Sequence, residues 1–205
     1  HSSYSTAVTS LTKCEFVPES PSVLASSSQN ALIVIILFFI VHLALLVGVT
    51  TPENFYFDEA HYVPAARQML EPVMPTPMLN PMHPPLAKQL IALSIRIFGD
   101  LPLGWRYPSV LFGSLAIVAM YLCGLALFAS RSSAVATALL AFFNQMVFVQ
   151  SRIAMLDIFE LAFSLFAIAA FIHGFRKGSR SLHIWFALAG LAFGFSIACK
   201  WNGLF

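Results

Sequence analysis

The sequence predicts an all-α protein with several membrane-spanning helices, and three observations support this. Of its 205 residues, 59% are hydrophobic and only 10% are charged, against about 25% charged in an ordinary soluble domain. The mean hydropathy is +0.81. Stretches without a formal charge recur along the chain, and each approaches the roughly 20 apolar residues that a spanning helix needs. The chain therefore belongs with multi-pass integral membrane proteins.

Five spans are expected, and they divide the chain into a tail, a loop and a bundle. Residues 1–30 are rich in Ser and Thr and lack apolar periodicity, which indicates a flexible tail. Residues 31–205 are interpreted as the N-terminal part of a larger transmembrane domain, because the chain lacks an initial Met and stops after an apolar run. The expected spans are 31–49, 107–128, 133–151, 157–175 and 182–202.

The loop between the first two spans, residues 50–106, holds five acidic and four basic residues. Its pattern predicts two short interfacial helices, about 58–70 and 85–98, joined by a Pro-rich link. In the second helix, four apolar residues recur at helical spacing, so one face is expected to lie on the bilayer. These residues are Leu86, Leu90, Leu93 and Ile97.

The distribution of basic residues predicts the orientation of the spans. Arg131, Arg176, Lys177 and Arg180 lie in short connections, and such loops are cytoplasmic when they are rich in Lys and Arg. The 50–106 loop is then on the non-cytoplasmic side. Because each span takes the chain to the opposite side of the membrane, a set of ionic residues that are far apart in sequence is expected on that same side. They are Asp58, Glu59, Lys88, Arg106, Arg152, Asp157 and Lys200.

Asp58 and Glu59 are the candidate catalytic residues. Carboxylates close to a bilayer are costly to keep, so they are functional candidates by default. Asp58 is the candidate general base, since a positioned carboxylate can take a proton from a reacting group. The structural alternative for Asp58 is the N-cap or first turn of a helix. The alternative for Glu59 is that it caps the helix or shapes the site.

Four cations are candidates for binding a lipid phosphate, and two histidines accompany them. Lys88 and Lys200 are favoured over Arg106 and Arg152, because they lie where a helix meets the headgroup layer. Arg106 has the alternative of a snorkelling arginine. Asp157 is a candidate substrate ligand, with a salt bridge to Arg152 as the alternative.

His61 and His83 are candidate substrate ligands, although a structural histidine is the alternative for His61 and a structural turn is the alternative for the HPP segment at 83–85. Together with Asp58 and Glu59 they also raise the alternative of a divalent metal site, since mixed carboxylate and imidazole ligands allow one. The spacing matches no fixed ligand motif, so no metal ligand is assigned and no cofactor is predicted. The small net charge of +2, without a basic face, excludes nucleic acid as a partner.

Five segments carry a resemblance to a known family. In chain order they are FDEAHY, HPPLAK, GWRYPS, SRIAMLD and KWNGLF. They resemble the GT-C glycosyltransferases, in particular the protein O-mannosyltransferases and the bacterial phospholipid-carrier-dependent glycosyltransferases. The resemblance implies that Asp58 is the catalytic acid-base residue and Glu59 the second acid.

The resemblance also implies an inverting transfer of a sugar, mannose by default, from a polyprenyl-phosphate carrier to an acceptor hydroxyl. The reaction would occur on the non-cytoplasmic face of the bacterial inner membrane or the endoplasmic reticulum. Protein Ser or Thr is the favoured acceptor, and a lipid or glycan is the alternative. A transporter and a structural assembly subunit are the competing classes, and residues 1–205 alone are expected to be inactive.

Overall fold

The computed structural model describes residues 27–73, 77–177 and 182–204. All regular structure in these residues is helical, which confirms the predicted all-α class. The chain order is α1 Ser27–Leu46, α2 Glu59–Gln68, α3 Leu86–Phe98, α4 Pro102–Phe128, α5 Arg131–Phe142, α6 Gln145–Gln150, α7 Asp157–Lys177 and α8 Leu182–Cys199. A 3-10 helix, Trp201–Leu204, follows α8.

Four of the described helices, α1, α4, α7 and α8, are long and apolar enough to cross a membrane. Helix α1 begins at Ser27, so the last residues of the predicted tail are helical. The rest of that predicted tail, residues 1–26, lies outside the described part of the chain. Large apolar side chains such as Phe39 and Leu43 are well exposed on α1. An exposed apolar face of this kind suits contact with lipid.

The predicted span over 133–151 is not a single helix, because the helix breaks in its middle. Helix α5 has 12 residues and α6 has six. Asn144 lies between them with an extended backbone, and its side-chain oxygen accepts a hydrogen bond from the Val147 N–H at 3.2 Å. Asn favours such N-cap positions, where its side chain competes with a continuing helix.

The two ends of the bundle are defined by contacts between residues that are distant in sequence. At one end, Arg131 Nε donates to Asn30 Oδ1 at 2.8 Å, and Arg176 Nη1 donates to the Ala126 carbonyl. We call this the Arg131 end. At the opposite end, which we call the site end, Ala154 N donates to Glu59 Oε1 at 2.8 Å. Helices α4 and α7 lead away from the site end, and α1, α8 and the α5–α6 pair lead towards it.

The two short helices of the 50–106 loop are present, as Glu59–Gln68 and Leu86–Phe98. Helix α3 turns Ala87, Ile91 and Ile95 into a core that it shares with α2, α4 and the start of α7. Of the four apolar residues predicted to face the bilayer, two are exposed and two pack inside the protein. Leu93 and Ile97 are 54% and 64% exposed, as lipid contact requires, whereas Leu86 and Leu90 pack against the core.

Candidate active site

Asp58 and Glu59 begin α2, and their side chains have opposite surroundings. Phe57, just before them, has a φ of 55°, in the left-handed region that aromatic residues seldom occupy. Asp58 is the N-cap residue, but its carboxylate makes no capping hydrogen bond. The residue is half-buried, and its carboxylate has no hydrogen-bond partner among the described residues. The structure therefore gives no support to a purely capping role and leaves this carboxylate available to a ligand.

Glu59 is completely buried and forms a two-pronged ion pair with Arg106 on α4. Arg106 Nε donates to Oε1 at 2.8 Å and Nη2 donates to Oε2 at 2.7 Å. The two side chains are 0% and 1% exposed. Glu59 also accepts from two backbone N–H groups at 2.8 Å, those of Tyr56 and Ala154. The carboxylate thus joins the loop before α2 to the turn before α7.

Arg106 uses all five of its N–H donors within the protein. Besides the two bonds to Glu59, its Nη1 donates to the carbonyls of Val49 and Pro52, at 2.9 and 2.7 Å, and its Nη2 donates to Asn54 at 3.0 Å. A guanidinium has no further N–H to offer. Neither partner of this pair presents a free polar group to a substrate, and the predicted ligand role of Arg106 stays a prediction.

Asp157, the first residue of α7, pairs with Lys200 and not with Arg152. Lys200 Nζ lies 2.6 Å from Asp157 Oδ1, while Asp157 Oδ2 is buried and has no hydrogen-bond partner. The suggested Arg152–Asp157 bridge is therefore wrong. Arg152 points towards α1, where it donates to the Val47 carbonyl at 2.5 Å and stacks on the Phe148 ring at 5.2 Å. The end of α8 packs on the start of α7, and this brings Lys200 to Asp157.

Lys88 holds the turn that carries His83. Its Nζ donates to the carbonyls of Asn80 and His83 at 2.6 and 2.8 Å, and the residue is 1% exposed. Trp201 Nε1 donates to the Met82 carbonyl in the same turn, at 2.8 Å. These bonds fix the turn from two sides, from α3 and from the 3-10 helix. Two of the three N–H donors of the Lys88 ammonium are thus used, and at most one is left for the predicted contact with a phosphate.

Electrostatic effects show that the remaining candidates share one region. Burial, together with the smaller effects of the charges of Asp58 and Asp157, raises the pKa of Tyr62 to about 12. Tyr62 is thus a neutral O–H donor at physiological pH and does not act as a base. The sequence analysis did not single it out, although it lies four residues after Asp58 and hence on the same face of α2. Two acids 99 positions apart in sequence therefore act on the pKa of one tyrosine.

His83 lies at the junction of these charges. Its ring is 6.0 Å from that of Tyr62, and its Nδ1 is buried without a hydrogen-bond partner in the part of the chain that the structure describes. Burial lowers the pKa of His83, and Lys200 and Lys88 lower it further, against the opposite effect of Asp157 and Asp58. Burial also lowers the pKa of Lys88. The imidazole is accordingly neutral at physiological pH and can both donate and accept a hydrogen bond.

The other predicted residues are not in this cluster. The His61 side chain is exposed, and Arg152 faces a separate cavity of about 240 Å³ that it shares with Arg106 and Tyr56. No group of three or more His, Cys, Asp or Glu residues in the described ranges is arranged to hold a metal ion. The cluster that the fold does bring together is Asp58, Tyr62, His83, Asp157 and Lys200, with Lys88 behind it.

The chain is similar to known protein mannosyltransferases. Residues 102–205 match the family model described as dolichyl-phosphate-mannose-protein mannosyltransferase. A polyprenol-phosphate-mannose–protein mannosyltransferase of Corynebacterium glutamicum is 33% identical over 73% of this chain and 34% of its own length. The corresponding protein of Mycolicibacterium smegmatis is 34% identical, over 73% and 33%. Dolichyl-phosphate-mannose–protein mannosyltransferase 3 of Saccharomyces cerevisiae is 31% identical, over 73% and 22%.

The chain spans about a third, or less, of the length of these relatives. The match to the family model nevertheless extends over half of the chain, from Pro102, the first residue of α4, to residue 205. The long apolar helices and this match together identify a multi-pass membrane protein. The chain belongs to the dolichyl-phosphate-mannose-protein mannosyltransferase family, PMT.

Proposed function

We propose that the chain is the N-terminal part of an enzyme that transfers mannose from a polyprenyl-phosphate carrier to a Ser or Thr hydroxyl of a protein. The observation that carries this proposal is the half-buried carboxylate of Asp58, which has no hydrogen-bond partner among the described residues and lies at the same end of the bundle as His83, Asp157 and Lys200. The relatives named above support the donor and the class of acceptor, since both are in their names. A lipid or glycan acceptor is the alternative for the same chemistry.

In the proposed reaction Asp58 is the general base. It takes the proton of the acceptor hydroxyl as that oxygen forms a bond to the anomeric carbon of the sugar. The bond between this carbon and the phosphate oxygen breaks, and its electron pair stays on the polyprenyl phosphate. A base on one face of the sugar and a leaving group on the other give inversion in a single displacement. A positioned base contributes about 10²–10⁴-fold to the rate.

Lys200 is the cation best placed to stabilise the leaving phosphate. Its side chain is 15% exposed and its ammonium is held at 2.6 Å by Asp157, so the cation is both partly dry and fixed in position. Preorganised charges of this kind stabilise the charge that develops in a transition state. Lys88 has most of its hydrogen-bonding capacity committed to the turn at 80–83, so we assign it the positioning of His83.

We also propose that Glu59 and Arg106 act as positioning residues and not as catalytic groups. Their mutual pair, with three carbonyls and two backbone N–H groups around it, fixes the segment from which Asp58 projects. The site end is proposed to face the non-cytoplasmic side, because the cations of the short loops lie at the Arg131 end.

The test is a transfer assay with the purified full-length protein, a polyprenyl-phosphate-mannose donor and a Ser/Thr-rich peptide. Asp58→Asn removes the base and keeps the size of the side chain, so we expect transfer to fall by at least about 100-fold. Glu53→Gln is the matched control, because Glu53 is an exposed acid of the same loop, and it should transfer at the wild-type rate. Equal transfer by the wild type and Asp58→Asn would remove Asp58 from its assigned role.

A further inference from the structure

A second cavity lies at the Arg131 end, away from the candidate active site. Its volume is about 250 Å³, and it lies between α1, α4, α7 and α8. Most of its lining is apolar, with Leu122, Leu125, Phe166 and Ala170 among the contributors. An apolar cavity of about 150 Å³ is already large enough to bind benzene and stays dry. This one is therefore suited to part of a hydrocarbon chain.

Polar groups line the mouth of this cavity on one side. Arg176 and Asn30 belong to its lining. Arg176 Nη1 donates to the Ala126 carbonyl, near the end of α4. Asn30 Oδ1 accepts from Arg131 Nε at 2.8 Å, while Arg131 Nη2 is buried and has no hydrogen-bond partner among the described residues. One guanidinium group thus lines the cavity, and a second one, which has an unused buried donor, is hydrogen-bonded to a residue of its lining.

No carboxylate of the described residues lies near these two arginines. Every described acid is either in the 50–106 loop or in the first turn of α7, at the site end of the bundle. A partly buried cation is stable only when an anion or several hydrogen bonds compensate for its lost hydration. The capping of carbonyls at the end of α4 accounts for one donor of Arg176, but it accounts neither for Arg131 Nη2 nor for the size of the cavity.

We propose that this cavity binds an anionic phospholipid from the adjacent leaflet. The headgroup phosphate accepts hydrogen bonds from Arg131 and Arg176, and the first part of an acyl chain enters the apolar cavity. Arginine is suited to this task because its planar fork matches phosphate oxygens. Anionic lipids are concentrated in cytoplasmic leaflets, and short loops rich in arginine face that side. The site is separate from the transfer chemistry and does not depend on it.

Lipid titration of delipidated full-length protein in detergent tests the proposal, with binding followed by native mass spectrometry and by the thermal unfolding midpoint. Phosphatidylglycerol is expected to bind in preference to phosphatidylcholine and to raise the midpoint. Each of Arg131→Gln and Arg176→Gln should weaken phosphatidylglycerol binding about fivefold, the contribution of one arginine near an anionic headgroup. Ala170→Phe fills the cavity without a change of charge and should also weaken binding.

Arg96→Gln is the matched control, because Arg96 is an exposed arginine of α3 at the site end. It should leave phosphatidylglycerol binding unchanged. If Ala170→Phe lowers the yield of folded protein, Ala170→Leu serves as the smaller filling substitution. Equal binding of the two phospholipids would overturn the proposal. So would wild-type binding of phosphatidylglycerol by a variant that carries both Arg131→Gln and Arg176→Gln. So would an equal rise of the midpoint with inorganic phosphate, since a free anion would then suffice.

Discussion

Asp58 and Glu59 are neighbours in sequence, and yet only one of them is available to a substrate. The left-handed turn at Phe57 starts α2 so that Glu59 points into the bundle and Asp58 does not. The buried acid is compensated by Arg106 in a paired geometry, which is the arrangement a buried carboxylate requires. The half-buried acid has no such partner among the described residues, which suits a group that must exchange a proton.

At this scale we predict that the Glu59–Arg106 pair supports stability first and activity only as a consequence. Removal of one partner of a buried pair leaves an uncompensated charge, at a cost of about 3–5 kcal/mol. Glu59→Gln and Arg106→Lys should therefore both lower the thermal unfolding midpoint sharply. Arg106→Lys keeps the positive charge but loses the two-pronged geometry.

The two readouts together separate a positioning role from a catalytic one. The full-length variants are compared by unfolding midpoint and by transfer rate, with Glu53→Gln as the control for an exposed acid. A Glu59→Gln variant with wild-type stability and no transfer would contradict the positioning role. Asp58→Asn serves as the comparison for a catalytic residue, because we expect it to lose transfer while its thermal unfolding midpoint changes little.

Among the helices, α4 organises the bundle through its small residues. Gly113 lies against Ser151, and Gly124 lies against Ala134 and Thr137 of α5. Small residues of this kind let transmembrane helices approach closely. The α5–α6 pair can therefore run back along α4 despite its break at Asn144. This return path delivers residues 151–157, which carry both Ala154 and Asp157, to the site end.

We predict that Gly113→Val destabilises the protein by about 1–3 kcal/mol or more, the usual cost of overpacking. A Cβ at this position would lie 2.3 Å from Ser151 Oγ and 2.4 Å from its Cβ, so the helices must move apart. The midpoint of thermal unfolding is the measurement. Gly190→Val is the matched control, because a Cβ on Gly190 of α8 meets no described atom within 4 Å. Equal midpoints for the two variants would contradict the close packing of α4 on the return path.

On the scale of the whole molecule, the charges are divided between the two ends. All the described acids are at the site end, together with cations such as Lys88, Arg106 and Lys200, while Arg131 and Arg176 are at the other end with no described acid beside them. Such a division is expected when one end faces a cytoplasm that retains Lys and Arg. It also keeps the cations that bind lipid at one surface apart from the acids of the candidate site.

We predict that the site end is on the non-cytoplasmic side. In full-length protein whose native cysteines, including Cys14, Cys123 and Cys199, are replaced by Ser, Glu53→Cys and Ser132→Cys introduce exposed thiols at opposite ends. A membrane-impermeant maleimide added to intact cells should label the first variant, because its thiol faces outwards. The second should react only after the cells are permeabilised, which also confirms that its thiol is reactive. The reverse pattern would contradict the orientation.

The sequence by itself determined the helical class, the two short helices of the loop and the segments that hold the candidate residues. These follow from composition and local periodicity, which depend on neighbouring residues. The tertiary structure decided which residues come together: Glu59 pairs with Arg106, Asp157 pairs with Lys200, and Tyr62 lies within the electrostatic influence of both Asp58 and Asp157. Those partners are about 40 to 100 positions apart, with the exception of Tyr62 and Asp58. Their pairing depends on how the helices pack side by side, and no local pattern encodes that.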